Sequence, residues 1–316
     1  MGVAGLYIID GVDIYTTFGA VFAKGSYDGL FAYPTAKEPL QNNWFEQNGL
    51  DIDLSELYYE PKTVTMHFLL SSTVSVADLI TKRDGLIALL NGAGYRKVSL
   101  VGYGYSFNLR YVSSGSPSVF GLDDNGLSGL EFDAEFVMDD PLQMFKASDG
   151  TLRIFDKTFD ATFGSSGLSF QRYAFHLVNN GTVTIDGVNL KEYGMAVKTF
   201  AGTALDGDTL KEPLIRSFER LSGTIADCST VAMKKSSREL QLSIIAVGAS
   251  VGEILNNYCA LFSDLTVAGH RVVASGLLGK TFNCYYQSQS DLSLTDMRLN
   301  SEICMMEFTI NLKTIN

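Results

Sequence analysis

The sequence of 316 residues has few prolines, few charged residues and four cysteines. Apolar residues never continue for 18 positions, so no membrane-spanning helix is predicted. No basic segment precedes an apolar one at the N-terminus, so no secretory signal is predicted. The cysteines are too far apart for a metal knuckle, and we expect buried free thiols in a reducing cell. They all lie in the second half of the chain: Cys228, Cys259, Cys284 and Cys304.

The chain also lacks positive charge. Its net charge is −11, and residues 1–150 hold 9 Lys and Arg against 19 Asp and Glu, whereas residues 151–316 hold 15 against 16. An acidic protein lacks the positively charged surface that binds the phosphates of nucleic acids. It can still surround nucleic acid without holding it, because like charges repel.

Groupings of residues typical of catalysis are missing as well. The histidines His67, His176 and His270 have no nucleophile or second ligand at a suitable spacing. The glycines Gly102 and Gly104 are followed by no predicted helix, so a hairpin turn is favoured over a dinucleotide loop. We therefore predict no catalytic residue, no cofactor, no metal site and no enzymatic activity.

A segment of 37 residues is present twice. Residues 75–111 align without gaps to residues 250–286, and twelve positions are identical, where chance would give about two. The identities include glycines, core aliphatic residues, and the pairs Arg96/Arg271 and Asn108/Asn283. We interpret this as an internal duplication of one structural unit.

Each copy of the repeat predicts a capped helix followed by strands. Ser75 and Ser250 each precede an acidic residue by three positions, the pattern of a capping box. Apolar residues then recur at helical spacing for about four turns, which predicts a helix with one buried face. A hairpin-like segment follows in both copies.

The same element order extends across the whole of each copy. An Asp-Gly turn between two short strands opens both copies, a long loop follows, and alternating strands such as 129–137 and 305–312 close them. The predicted fold class is mainly β, two tandem β-sandwich or open-barrel domains with one flanking helix each. We predict domains at residues 1–140 and 181–316, with a linker and inserted hairpin over 141–180.

The long loop of the first copy, residues 24–60, is predicted to be functional, because loops of this length are usually arms or lids. Its aromatic residues would either anchor a neighbouring molecule or fold back on their own domain. Candidate subunit-interface residues in the two long loops are Leu40, Trp44, Phe45, Leu214 and Phe218.

This order of elements resembles the tube domain of phage tails, shared by tail tube, distal tail and baseplate hub proteins. The residues that carry the resemblance are the opening Ile9-Asp10-Gly11-Val12, the arm 24–60, the strand 63–70, the helix 75–90, and the strand 131–137 before Asp139-Asp140-Pro141.

The resemblance implies a structural virion protein, assembled in the cytoplasm of the bacterial host. It implies a ring-shaped homo-oligomer, a trimer or a hexamer of the chain, in contact with other tail proteins around a channel through which DNA passes. Three chains with two domains each would supply the six domains of such a ring. The alternatives are a carbohydrate or cell-surface binding module, because both β domains are rich in aromatic residues, and an uncharacterised enzyme.

Overall fold

The computed structural model describes residues 4–44, 47–120, 128–147, 150–159, 183–206, 210–211, 215–217, 224–226, 234–294 and 304–315. Its first half contains helices α1 (Ile14–Phe18), α2 (Asp28–Phe31) and α3 (Val76–Leu90). The strands of that half are β1 (Tyr7–Ile9), β2 (Val12–Asp13), β3 (Ala20–Phe22), β4 (Gln41–Asn42), β5 (Asp51–Ile52), β6 (Lys62–Ser72), β7 (Arg96–Leu100), β8 (Tyr105–Ser114), β9 (Ser118–Phe120) and β10 (Ser128–Met138).

The second half contains helix α4 (Val251–Leu265) and a second set of strands. These are β11 (Val183–Ile185), β12 (Val188–Asn189), β13 (Met195–Ala201), β14 (Ile215–Ser217), β15 (Thr224–Ala226), β16 (Glu239–Gly248), β17 (Arg271–Ser275), β18 (Lys280–Ser293) and β19 (Cys304–Thr314). The predicted fold class, mainly β with one long helix beside each set of strands, is confirmed.

Two large antiparallel sheets with matching strand orders form most of the fold, and the hairpins β4-β5 and β14-β15 are separate two-stranded sheets. The first sheet follows the order β2-β1-β7-β8-β10-β6-β3, with β9 paired to β10. The second follows β12-β11-β17-β18-β19-β16-β13. Each strand of the second path occupies the place of its sequence counterpart in the first. The boundaries predicted at residues 140 and 181 stay a prediction, and most of the inserted hairpin predicted over 141–180 lies outside the described residues.

Alternation along the long strands places the core between each sheet and its helix. In β19 every second residue is buried, as expected for a strand with one covered face. Most buried apolar residues of both sheets belong to one continuous cluster. Three cysteines, Cys259, Cys284 and Cys304, are buried and form no disulfide among the described residues, as predicted, and Cys228 lies outside the described residues.

Residues repeated between the two halves form the same joint in each half, a contact that links the Asp-Gly turn to the end of the long helix. Arg96 lies 2.7 Å from Asp10, and Arg271 lies 2.8 Å from Asp186. Both aspartates sit in the Asp-Gly turn after the first strand, with φ near 50°. Each arginine links that turn to backbone carbonyls at the end of the long helix. The same joint thus fixes helix and sheet in both halves, which explains why these residues recur.

The two helix starts follow the predicted capping pattern. The Ser75 hydroxyl accepts from the Asp78 amide at 3.1 Å, and the Ser250 hydroxyl accepts from the Glu253 amide at 3.2 Å. A cap of this kind satisfies one of the free amides of the first turn.

Candidate assembly interface

The long loop 24–60 is an arm that leaves the first sheet and lies against the second. Its base is closed by a β-bridge between Ala36 and Tyr59, and its tip is the hairpin of β4 and β5. The Lys62 ammonium donates to Leu30 O at 3.0 Å and Ala32 O at 2.7 Å, and burial lowers the pKa of Lys62 to about 7. This fixes the arm where it begins.

Tyr33 anchors the arm in the core of the second half. It is 2% exposed, and its ring stacks on Tyr258 of α4 with 4.1 Å between centroids. The Tyr33 hydroxyl donates to Tyr258 O at 2.6 Å, and the Tyr33 amide donates to Gln289 Oε1 at 2.6 Å. Phe262 packs beside it at 4.7 Å. A side chain of the first half therefore completes the core of the second.

The arm then runs beside β18. The Ala36 amide donates to Gln287 O at 2.8 Å, and the Tyr286 hydroxyl donates to Pro34 O at 2.8 Å. The arm thus satisfies polar groups of the second half that would otherwise need water.

The tip of the arm contacts the base of the corresponding segment in the second half. The Gly49 amide donates to Lys235 O at 2.8 Å, and the Leu50 amide donates to Ile315 O at 2.8 Å. The Lys211 ammonium, which is buried, donates to Trp44 O at 2.6 Å. The arm therefore makes backbone contacts along most of its length.

The predicted interface residues are only partly described. Leu40 is 83% exposed and Trp44 is 49% exposed, and the Trp44 indole donates to Asp51 at 3.3 Å. Phe45, Leu214 and Phe218 lie outside the described residues. Their role in subunit contacts stays a prediction. The sequence analysis did not predict the contact of Tyr33 with α4. That analysis relied on residues shared by the two copies, and Tyr258 is not shared, since Arg83 occupies its position in the first copy.

A second arm has the same plan as the first. A β-bridge between Leu210 and Lys235 closes its base, as the bridge between Ala36 and Tyr59 closes the first arm, at offsets of 174 and 176 residues. Its hairpin pairs Ile215 with Ala226, where the first arm pairs Gln41 with Ile52, so an offset of 174 preserves the register. The chain therefore carries two comparable arms.

The two long helices differ sharply in burial. In α4, ten of fifteen residues are buried, including Tyr258 and Phe262. In α3, only three are buried, namely Leu79, Leu86 and Leu90. The covered face of α4 is the one that receives the first arm. At the equivalent positions of α3, Arg83 and Ile87 are half-buried and Asp84 is exposed, so the described residues leave this face partly uncovered.

One contact of the covered face has a charged equivalent on the corresponding face of α3. The Tyr105 side chain of the first sheet interacts with the Cys259 thiol of α4, and burial raises the pKa of this thiol to about 12. At the offset of 175, Tyr105 corresponds to Lys280 and Cys259 corresponds to Asp84. Lys280 and Asp84 are both exposed. The buried contact of Tyr105 with Cys259 within the chain thus has a counterpart in two exposed residues of opposite charge, Lys280 on the second sheet and Asp84 on α3.

Three acidic side chains form a row on the outer face of the first sheet. Glu131, Asp133 and Glu135 lie on the same face of β10. His67 Nδ1 lies 2.7 Å from Asp133, and its Nε2 lies 3.3 Å from Glu131; the bond to Asp133 raises the pKa of His67. By strand register, the equivalents of the three acids in the second sheet are Glu307, Thr309 and Asn311. The charge difference between the halves is therefore visible on this face.

The described residues provide neither a metal site nor a membrane-spanning helix. In the described part of the chain, no group of three or more His, Cys, Asp or Glu side chains is arranged to hold a metal ion. No helix among these residues is long and apolar enough to cross a membrane.

Comparisons with known proteins are sparse. No family model matches the sequence, and no curated protein matches it. Among solved structures, the chain is similar to the crystal structure of the SPP1 Dit (gp 19.1) protein, described as a paradigm of the hub adsorption apparatus in phages that infect Gram-positive hosts. The match covers 98% of each chain at 11% identity, with a TM-score of 0.31.

Proposed function

We propose that this protein is a structural, non-enzymatic component of a phage tail, and that its copies join head to tail into a closed ring through which DNA passes. The observation that carries the proposal is the docking of the first arm on α4. The same chain holds a second arm of the same plan and a second helix, α3, whose equivalent face the described residues leave partly uncovered.

Repetition of the internal contact between chains generates the assembly. The internal contact is head to tail, since an arm of one half meets the helix of the other. Such a contact, repeated with one rotation, makes a ring when the rotation closes. The second arm would dock on α3 of the next copy as the first arm docks on α4. The resemblance to tail tube domains suggests six units in a ring, hence three chains.

Surface chemistry supports a contact that forms only on assembly. The internal contact is aromatic and buried, whereas the corresponding face of α3 carries Arg83 and Asp84, which lie 3.3 Å apart. A polar face keeps the free chain soluble, because large exposed apolar patches promote aggregation. In the ring, Lys280 of one copy would meet Asp84 of the next. Complementary charges of this kind give specificity and register.

The acidic row on β10 suits the wall of a DNA channel. Carboxylates repel phosphates, so DNA would slide past Glu131, Asp133 and Glu135 without adhering. Only one half of each chain carries the complete row. A trimer would then present three acidic and three nearly neutral segments.

A charge swap tests the ring. The mass of the full chain is measured by light scattering after size exclusion, and particles are imaged by negative stain. We expect wild type to form rings with a central opening, while Asp84→Lys and Lys280→Asp each weaken assembly at least tenfold. The double variant should restore it. Asp133→Lys, with the same charge change on the sheet face, serves as the matched control and should still assemble.

Two results would count against the proposal. A strictly monomeric wild-type chain at high concentration, also in the presence of other tail proteins, contradicts the ring. Single variants that assemble like wild type contradict the Lys280–Asp84 contact. A monomer that binds glycans and loses them on Trp44→Ala would favour the alternative binding module.

A further inference from the structure

The two large sheets have a β-bulge at the same place. In the second sheet, the register of β18 with β19 skips Gln287. In the first sheet, the register of β8 with β10 skips Val112, which corresponds to Gln287 at the offset of 175. A bulge leaves one residue outside the ladder, so the backbone of that residue is available to another partner.

In the second half, the first arm covers the bulge. The Ala36 amide donates to Gln287 O at 2.8 Å, and the hydroxyl of the preceding Tyr286 donates to Pro34 O at 2.8 Å. The pairing of β17 with β18 ends at Cys284, so the edge of β18 beside the bulge is left to the arm. Ala36 and Tyr286 are both buried by this contact between the halves.

In the first half, the same place is uncovered. The pairing of β7 with β8 ends at Leu109, and no arm or loop among the described residues donates to Val112 O. Val112 is 45% exposed. Tyr111, the counterpart of Tyr286, is half-buried, and its hydroxyl makes no hydrogen bond with the described part of the chain. The first sheet therefore repeats the acceptor and the donor of the internal contact without their partners.

The second arm repeats the other side of the contact. Leu210 forms the bridge at its base, as Ala36 does in the first arm. The next amide, that of Lys211, donates to Lys234 O inside the arm. Because successive amides of an extended chain point in opposite directions, the Leu210 amide points away from the arm, as the Ala36 amide does. It has no acceptor among the described residues, and the Leu210 side chain is 49% exposed.

We propose that the β8 bulge is a docking site for the second arm of another copy of this chain. In this contact, which we call the bulge contact, the Leu210 amide of one copy donates to Val112 O of the next. The Tyr111 hydroxyl donates to a backbone carbonyl of the incoming arm. The bulge contact rests on the proposed ring and adds the sheet edge and the register at which neighbouring copies join.

The occupant is a second copy because the chain itself carries the matching arm. Within one chain, Leu210 and Val112 each lack the partner that their counterparts Ala36 and Gln287 have in each other. Both residues are apolar and exposed, so the contact would remove both side chains from water. It would also cover a strand edge that is otherwise open to unwanted pairing.

Cross-linking tests the register. A chain with Ala36→Cys and Gln287→Cys shows how readily the internal contact forms a disulfide under mild oxidation. A chain with Leu210→Cys and Val112→Cys should form disulfides to a similar extent, but between copies, and give covalent oligomers on a non-reducing gel. Each of the latter two substitutions alone controls for the native cysteines.

Point variants test the hydrogen bonds, with assembly followed by light scattering on dilution. Leu210→Pro removes the outward amide and should weaken assembly about tenfold, because Val112 O is then covered without a donor. Leu210→Val keeps the amide and an apolar side chain, and should assemble like wild type. Tyr111→Phe should weaken assembly severalfold without lowering the melting temperature of the single chain. Tyr286→Phe should lower that temperature, since the Tyr286 hydroxyl is used within the chain.

The outcomes separate the bulge contact from the ring itself. Rings in which the Leu210→Cys and Val112→Cys pair does not cross-link, although the internal pair does, overturn the bulge contact alone. Rings that are unaffected by Leu210→Pro and by Tyr111→Phe do the same. If the internal pair does not cross-link, the point variants decide, and if Leu210→Pro does not fold, Tyr111→Phe decides. A wild-type chain that stays monomeric overturns both the ring and the bulge contact.

Discussion

Replacing Tyr33 by alanine should uncouple the arm from the second half. The ring is 2% exposed, stacks on Tyr258 and contacts Phe262. Truncating a buried aromatic side chain to alanine typically costs about 3–5 kcal/mol through lost burial and the cavity left behind. Loss of the hydroxyl bond to Tyr258 O adds about 1 kcal/mol. We expect a total loss of about 4–6 kcal/mol in the free energy of unfolding.

Two further variants divide this cost. Tyr33→Phe keeps the ring and removes the hydroxyl, so it should lose only about 1 kcal/mol. Tyr58→Ala truncates a tyrosine of the same arm that is 64% exposed. It should change stability by less than about 0.5 kcal/mol, as exposed substitutions usually do.

Urea unfolding followed by circular dichroism measures these values. Hydrogen exchange of α4 distinguishes a detached arm from global unfolding, because detachment would expose Tyr258 and the helix around it while the first sheet stays protected. If Tyr33→Ala costs less than about 1 kcal/mol and α4 stays protected, the arm does not complete the second core and the reasoning fails.

Three other variants probe the joints and the acidic face. Arg271→Met leaves Asp186 without its ion pair and should destabilise the chain by about 2–3 kcal/mol in urea unfolding. This is less than the cost of breaking a fully buried ion pair, because Asp186 is partly solvated. An unchanged free energy of unfolding would refute the role of this ion pair. Ser250→Ala removes the helix cap and should cost about 1 kcal/mol by the same assay. The pKa of His67 is raised in the folded state, so the stabilisation it provides is present below about pH 6.5 and is lost as the pH rises through the folded pKa. In an NMR titration, Asp133→Asn should lower the pKa of His67. An unchanged titration would contradict the pairing of His67 with Asp133.

The two helices show how one sequence pattern serves two environments. Both have the same cap and the same apolar spacing facing their own sheet. They differ on the outer face, where α4 has Tyr258 and Phe262, and α3 has Arg83 and Ile87. Positions that the two copies share therefore indicate the fold. Positions at which they differ indicate what covers each copy.

Local patterns in the sequence determined the β-rich fold class, the two capped helices and the repeated element order. These features depend on short-range periodicity and on residues such as Ser75, Ser250 and the Asp-Gly turns, whose preferences act within a few positions. The fold class could be predicted for this reason, and so could the presence of a long arm.

Only the tertiary structure decided where the arm lies and what it meets. Tyr33 and Tyr258 are more than 200 positions apart, and neither stands in a pattern that signals contact. A cavity beside Asp28 likewise joins residues from β1, α2 and the end of β18. Such contacts arise when two sheets pack, because burial then depends on the shape of both surfaces and no longer on local sequence.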